Sequence, residues 1–131
     1  MPEFTKESAN EICFRVDGTI CVLLINKEKP TEDQITLFNN LQNHLSPKID
    51  RGIKYRFGWI NSTTQNNFIQ ATGLANGEGP KLMIVNPGSR KRFYVMESEL
   101  TEQNMRSTFD RLAGGEVRFK QFPKNTIPEL D

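Results

Sequence analysis

The chain has 131 residues, 36% of them hydrophobic, which suffices for one domain with a single buried core. Its 17 Lys and Arg residues nearly balance 16 Asp and Glu residues, so no broad charge favours nucleic acid or an anionic membrane surface. No apolar run approaches the roughly 20 residues that span a bilayer. The segment 1–11 is polar and lacks the apolar stretch of a signal peptide.

The first two predicted elements are a buried strand and a capped helix. The run Thr19-Ile20-Cys21-Val22-Leu23-Leu24-Ile25 is apolar and β-branched without alternation, which is typical of a strand covered on both faces. A helix is predicted to begin after Thr31, because Thr31 and Gln34 have the spacing of a capping box. It should end at Ser46-Pro47, since the residue before a proline avoids the helical region.

A second strand is predicted over 53–60, and its aromatic side chains Tyr55, Phe57 and Trp59 share one face. They could line a peptide-binding face, but aromatic alternation in a strand favours the core. The remaining elements are predicted from apolar spacing and turn residues: a helix over 64–72 with Gly73 as its cap, a strand over 81–85, a type II turn over 86–89 with positive φ at Gly88, a strand over 92–96, a helix from Thr101 to Gly114-Gly115, and an irregular tail over 116–131.

The predicted element order is β-α-β-α-β-β-α. Three successive strands separated by helices predict parallel, right-handed crossovers, and the last two strands predict an antiparallel hairpin at one edge. This order is that of a thioredoxin-like α/β fold with three α/β/α layers, a central mixed sheet and a C-terminal antiparallel hairpin.

Four short motifs, in a fixed order, carry a family resemblance. They are Cys21-Val22-Leu23-Leu24-Ile25, with a cysteine shortly before; Phe57-Gly58-Trp59; Gly79-Pro80 before a hairpin that ends in Lys91-Arg92-Phe93; and Phe122-Pro123 followed by Pro128-Glu129-Leu130-Asp131. Over about residues 12–131 the chain resembles the C-terminal, redox-inactive (b-type) thioredoxin-like domain of a protein disulfide isomerase. Within that family it resembles the subfamily with two Cys-x-x-Cys domains followed by one silent domain.

The sequence pattern predicts a flexible lead-in over 1–11, a thioredoxin-like domain over 12–115 and an irregular tail over 116–131. The resemblance implies a cis peptide bond before Pro80, facing the turn over 27–32 where a redox thioredoxin holds its Cys-x-x-Cys pair. That turn contains no cysteine, so the low-pKa thiolate on which disulfide exchange depends is absent there.

A peptide-binding edge is expected beside this junction, formed by Lys29, Pro30, Gly79 and Pro80, as in the addition of an extended peptide to a sheet. The alternative is that Pro80 only shapes its loop, and the sequence leaves both interpretations open.

Cys13 and Cys21 have seven residues between them. In an oxidising compartment they could form a disulfide worth about 2–3 kcal/mol by the chain-entropy model. Alternatively both stay unpaired, with Cys21 packed in its strand. The spacing matches neither Cys-x-x-Cys nor a metal site, so we expect no catalytic or metal-binding role for them.

Asn61-Ser62-Thr63 is an N-glycosylation sequon at the end of the second strand. Its use depends on the compartment in which the chain folds, and the sequence alone leaves glycosylation of Asn61 open.

The leading functional hypothesis is a non-catalytic domain of an endoplasmic-reticulum protein disulfide isomerase, with no cofactor and no metal. Its partners would be unfolded or partly folded clients, an endoplasmic-reticulum chaperone, and the other domains of a parent chain that is itself the enzyme. The resemblance places it in the lumen, although the chain stops before a Lys-Asp-Glu-Leu-type retrieval signal. One alternative is a thiol-dependent enzyme that uses Cys21 or Cys13, and another is a structural spacer.

Overall fold

A computed structural model describes residues 1–46 and 53–131. Its regular elements follow the chain in this order: a π-helical turn Asn10–Phe14, β1 Thr19–Asn26, α1 Glu32–Leu45, β2 Lys54–Asn61, α2 Asn66–Ala71, β3 Lys81–Asn86, β4 Arg92–Val95, α3 Glu102–Ala113, β5 Lys120–Gln121 and a 3₁₀ turn Pro123–Asn125. The predicted strands and helices are present, and their ends differ from prediction by a few residues. The predicted end of the first helix at Ser46-Pro47 falls partly outside the described residues.

The strands form one mixed five-stranded sheet in the order β2-β1-β3-β4-β5. Alternate residues of β1 point to opposite faces, so Val22 and Leu24 pack in the core beneath α1 and α3. Leu23 and Ile25 pack in a second core that includes Phe68 of α2. Because both faces of the sheet are covered, the fold is the predicted thioredoxin-like α/β architecture with three layers.

The direction of β3 differs from the sequence prediction. β1 and β2 are parallel, but β3 is antiparallel to β1, with Cys21 opposite Val85. The six-residue α2 is only about 9 Å long, whereas the eight-residue β2 is about 26 Å long. The connection over 62–80 is held at the end of the sheet where β2 finishes, since the Gly77 N–H donates to the Ser62 carbonyl, and β3 starts there.

The N-terminal segment 1–11, predicted as a flexible lead-in, packs against β2 and reaches the core through Phe4 and Ala9. The Trp59 N–H donates to the Pro2 carbonyl at 3.0 Å, and the Phe4 N–H donates to the Trp59 carbonyl at 2.8 Å. The Phe4 side chain is fully buried. It lies where a side chain at Gly58 would stand. The segment is polar overall, so its composition does not indicate that Phe4 anchors it to the core.

The C-terminal tail 116–131, predicted as irregular and separate from the domain 12–115, packs against the sheet and the core. Lys120 and Gln121 form β5, which pairs antiparallel with β4. Phe122 and Leu130 are buried in the same core as Phe4. The tail is irregular for most of its length, yet its apolar side chains complete the layer that contains α2.

The connection between β3 and β4 is not the predicted type II turn. Gly88 has no positive φ, and the loop spans 87–91 rather than two central residues. The Asn86 Oδ1 accepts from the Gly88 N–H at 3.1 Å, which closes a local side-chain turn instead. Asn125 of the tail secures the loop by accepting from the Lys91 N–H at 2.7 Å. The turn is therefore set partly by a contact with residues distant in sequence.

Among the residues that the structure describes, no helix has the length and apolar character needed to cross a membrane.

Candidate functional site

The turn between β1 and α1 is where a redox thioredoxin would hold its cysteine pair. Here the turn is closed by a capping box: the Thr31 Oγ1 accepts from the Gln34 N–H at 3.2 Å, and the Gln34 Oε1 accepts from the Thr31 N–H at 3.0 Å. Both bonds satisfy donors that the first turn of a helix leaves without intrahelical partners. The predicted cap is therefore confirmed.

A buried amide completes this turn. Asn26, at the end of β1, is only 4% exposed. Its Nδ2 donates to the Glu28 carbonyl at 2.9 Å and to the Gln34 Oε1 at 3.1 Å. The Gln34 Oε1 thus accepts from two donors and joins the strand end to the helix start. These two amides flank the turn over 27–32, which carries no thiol.

Gly79 and Pro80 lie beside this turn at the start of β3. The peptide bond between them is cis, as the resemblance implies. Gly79 has φ +137°, a region that favours glycine, and a Cβ there would collide with the Ile25 carbonyl oxygen. Gly79 therefore brings the chain directly against the end of β1, and Pro80 remains exposed at the surface.

A groove of about 490 Å³ opens between the first turns of α1, Pro80 and the segment that joins β4 to α3. It is lined by Asp33, Gln34, Leu37, Pro80, Lys81, Glu97, Ser98, Glu99 and Leu100. We call this the α1–Pro80 groove. Leu37 and Leu100 are partly buried and give it an apolar floor, whereas Asp33, Glu97 and Glu99 are exposed carboxylates. Only Lys81 among the lining residues is a cation, so the groove carries a net negative charge.

The predicted peptide-binding edge takes a different form in the structure. β3 lies between β1 and β4, so the backbone next to Pro80 is not a free sheet edge. Pro80 lines the groove, Gly79 packs behind it, and Lys29 and Pro30 lie in the preceding turn outside the groove lining. Sequence reasoning missed Leu37, Glu97 and Leu100, because only the packing of α1 against the β4–α3 segment brings them together.

Cys13 and Cys21 form a disulfide with an S–S distance of 2.00 Å and a Cα–Cα distance of 5.9 Å. Both residues are fully buried in the core that contains Phe4 and Phe68. They are the two cysteines of the chain. In this bonded state neither sulfur is available as the nucleophile that a thiol-dependent enzyme would need.

The aromatic face of β2 packs against the helices. Trp59 is buried, and the Tyr55 ring meets the Phe109 ring of α3 edge to face at 5.6 Å between centroids. Burial raises the pKa of Tyr55 above its ordinary value of 10.0. Phe57 also belongs to this cluster. These contacts favour the core interpretation of the aromatic alternation over a peptide-binding face.

Asn61 lies at the end of β2, opposite the buried Asn26 of β1. It is partly exposed, Ser62 is buried and Thr63 is exposed. In the parts of the chain that the structure describes, no group of three or more His, Cys, Asp or Glu side chains could hold a metal ion.

The fold and this site define a thioredoxin-like domain whose turn beside the cis-proline contains no cysteine. No protein-family model matches the chain. The search of curated proteins also returns no significant match.

Proposed function

We propose that this chain is a non-catalytic, client-binding domain of a protein disulfide isomerase in the endoplasmic reticulum. It binds unfolded or partly folded segments, or a partner chaperone, and positions the redox domains of its parent chain. The observation that carries the proposal is the open α1–Pro80 groove beside a turn that has a thioredoxin-like geometry and no thiol.

The shape of the groove supports binding of an extended segment. Leu37 and Leu100 offer apolar contact, and Pro80 lines the groove beside them. The groove is open to solvent along its length, as a site for chain segments of varied sequence requires. The carboxylates at its rim favour clients that combine apolar and basic residues.

The disulfide supports the proposed compartment. Disulfides persist in oxidising environments such as the lumen of the endoplasmic reticulum and are rare in the cytosol. The Cys13–Cys21 bond is fully buried and closes a short loop before β1. It is therefore best explained as a structural bond acquired in an oxidising compartment.

An NMR titration tests client binding. The ¹⁵N-labelled protein is titrated with a short unfolded peptide that alternates apolar and basic residues. We expect localised amide shifts at Leu37, Lys81 and Leu100. Leu37→Ser should weaken binding, and Leu112→Ser, a change of the same kind on α3 away from the groove, should not. Absence of shifts, or shifts spread evenly over the surface, would favour a structural spacer.

Alkylation under native conditions tests the competing enzymatic hypothesis. We expect the folded protein to take up no iodoacetamide at Cys13 or Cys21, because both sulfurs are bonded and buried. Rapid modification of a single cysteine in the non-reduced protein, read by mass spectrometry, would count against a binding domain and in favour of a thiol-dependent enzyme.

A further inference from the structure

We propose that Asn61 is an acceptor for N-linked glycan. The inference depends on the proposed function in one respect, because that function places the chain in the compartment where such glycans are added. Asn61-Ser62-Thr63 is the one sequon in the sequence, and its middle residue is not proline. It lies where β2 ends and the chain turns towards α2.

The hydrogen bonds of Asn61 determine the orientation of its carboxamide. The Asn61 Oδ1 accepts from the Thr63 N–H at 2.9 Å and from the Thr63 Oγ1 hydroxyl. A backbone N–H can only donate, so the atom that faces it must be the carboxamide oxygen. The Nδ2 atom, to which a glycan is attached, therefore points away from these bonds and contacts no hydrogen-bond acceptor among the described residues.

Asn26, at the same end of the sheet, provides an internal comparison. It pairs directly with Asn61 across β1 and β2. The Nδ2 of Asn26 makes two hydrogen bonds, and the residue is only 4% exposed. Asn61 is partly exposed, and its Nδ2 makes no hydrogen bond within the described part of the chain. Of these two neighbouring asparagines, one holds the β1–α1 turn together and the other is accessible for modification.

The backbone of Ser62 keeps the sequon in this conformation. The Ser62 N–H donates to the Asn26 carbonyl at 2.8 Å, and the Ser62 carbonyl accepts from the Gly77 N–H at 3.0 Å. Ser62 itself is fully buried. These two bonds fix the middle residue inside the fold, so Asn61 and Thr63 are presented outward on either side of it.

β2 is the outermost strand of the sheet, and Asn61 is its last residue. Beyond β2, the N-terminal segment bridges to Trp59, two residues before Asn61. A glycan on Asn61 would project from the end of the sheet without displacing a core side chain. The folded domain can therefore carry the modification.

The reaction is the transfer of an oligosaccharide from a lipid diphosphate carrier by a membrane-bound transferase. A bond forms between Asn61 Nδ2 and the anomeric carbon of the first sugar, and the bond from that carbon to the diphosphate oxygen breaks. Nδ2 loses one proton and the lipid diphosphate leaves, so no oxidant or reductant is required.

Translation of the full chain behind a cleavable signal sequence in microsomes tests the inference. We expect one increase in mass, equal to a single glycan and removed by a peptide amidase that cleaves N-linked glycans. Asn61→Gln and Thr63→Ala should abolish this increase, because each removes the sequon. Thr63→Ser and Ser62→Ala should retain it, because each preserves the sequon.

This result is independent of client binding, which is measured on protein made in bacteria without glycan. A chain that binds peptide and receives no glycan would overturn only the inference about Asn61. A chain that is glycosylated and binds no peptide would overturn only the client-binding function. An increase in mass that persists in Asn61→Gln would also overturn the assignment of Asn61.

Discussion

Gly58 is the residue that allows the N-terminal segment to pack on the sheet. A Cβ at this position would lie 2.6 Å from the Phe4 Cδ1 atom and 2.8 Å from the Pro2 carbonyl oxygen. We expect Gly58→Ala to lower the free energy of unfolding by about 1–3 kcal/mol, since overpacking forces the Phe4 ring out of its position. Urea unfolding, with the midpoint and slope fitted together, measures the change.

Gly114 provides the control for Gly58, because a Cβ there would meet its nearest atoms at 3.7 Å. Gly114→Ala should leave the free energy of unfolding within about 0.5 kcal/mol of the wild-type value. In a Phe4→Ala background, Gly58→Ala should lower the free energy of unfolding by less than it does in the wild type, because the ring with which the new Cβ would collide is absent. Equal costs in the two backgrounds would show that Gly58 does not act through Phe4.

Tyr55 makes the stability of the domain depend on alkaline pH. Burial raises the pKa of its phenol in the folded state above the ordinary value of 10.0. Above pH 10 the unfolded chain therefore loses this proton first, and the unfolded state binds fewer protons than the native state. We expect the free energy of unfolding to fall as pH rises from 10 through the raised pKa.

Tyr55→Phe removes the titrating phenol and keeps the ring that contacts Phe109. Urea unfolding at pH 8 and at pH 11 should show a smaller loss of stability in this variant than in the wild type. Identical losses in the two proteins would exclude Tyr55 as a source of the pH dependence.

At the scale of elements, the link between β1 and α1 depends on one side chain that serves both. The Gln34 Oε1 accepts from the Thr31 N–H and from the buried Asn26 Nδ2. We expect Thr31→Ala to cost about 0.5–2 kcal/mol, as loss of a helix cap does. Gln34→Ala should cost more, because it also leaves a buried amide donor with one partner fewer.

Chemical denaturation of the two variants measures this difference. Gln42→Ala is the matched control, since Gln42 is exposed on the same helix and its side chain takes no part in the capping box of α1. Its free energy of unfolding should change by less than about 0.5 kcal/mol. If Gln34→Ala were no more costly than Gln42→Ala, the hydrogen bonds to Asn26 and Thr31 would not contribute to stability.

The elements that sequence reasoning located correctly are those whose signals are local. The cap of α1 depends on Thr31 and Gln34, three residues apart, and the burial of β1 depends on its own composition. The antiparallel direction of β3 depends instead on the path of the connection over 62–80, which returns to the sheet at the end where β2 finishes. The packing of Phe4 depends on a missing side chain at Gly58, more than fifty positions away in the sequence.

In the candidate site, too, some features were predictable from the sequence and others depend on contacts between distant residues. The absent thiol is read directly from the residues of the turn over 27–32, and the cis peptide bond before Pro80 was expected only through the family resemblance. The groove itself requires Leu37 and Leu100 to lie side by side. The two residues are far apart in the sequence, so no local sequence pattern indicates that they come together. The turn that lacks the cysteine pair was therefore predictable from the sequence, but the α1–Pro80 groove was not.

At the scale of the whole molecule, the disulfide joins the N-terminal turn to the central strand. Because Cys13 and Cys21 close a short loop, the chain-entropy model gives a stabilisation of about 2–3 kcal/mol. We expect the reductant dithiothreitol to lower the free energy of unfolding by this amount. The double variant Cys13→Ala/Cys21→Ala should be insensitive to the reductant. A wild-type protein with the same unfolding midpoint in both redox states would contradict a stabilising role.

The charge of the α1–Pro80 groove predicts a preference among clients. Three carboxylates and one ammonium group line it, so a peptide of apolar and basic residues should bind more tightly than its acidic counterpart. We expect Glu97→Gln/Glu99→Gln to weaken binding of the basic peptide by about 2- to 30-fold, since each exposed charge pair contributes about 0.2–1 kcal/mol. Fluorescence titration of labelled peptide measures the change.

Glu7→Gln/Glu11→Gln is the control for overall charge, because it removes two exposed carboxylates outside the groove. This variant should bind the basic peptide as the wild type does. Raising the salt from about 0.1 M to about 1 M shortens the screening length from roughly 10 Å to 3 Å, so it should reduce the advantage of the basic peptide. Equal weakening in the two double variants would show that net charge, rather than the groove, attracts the peptide.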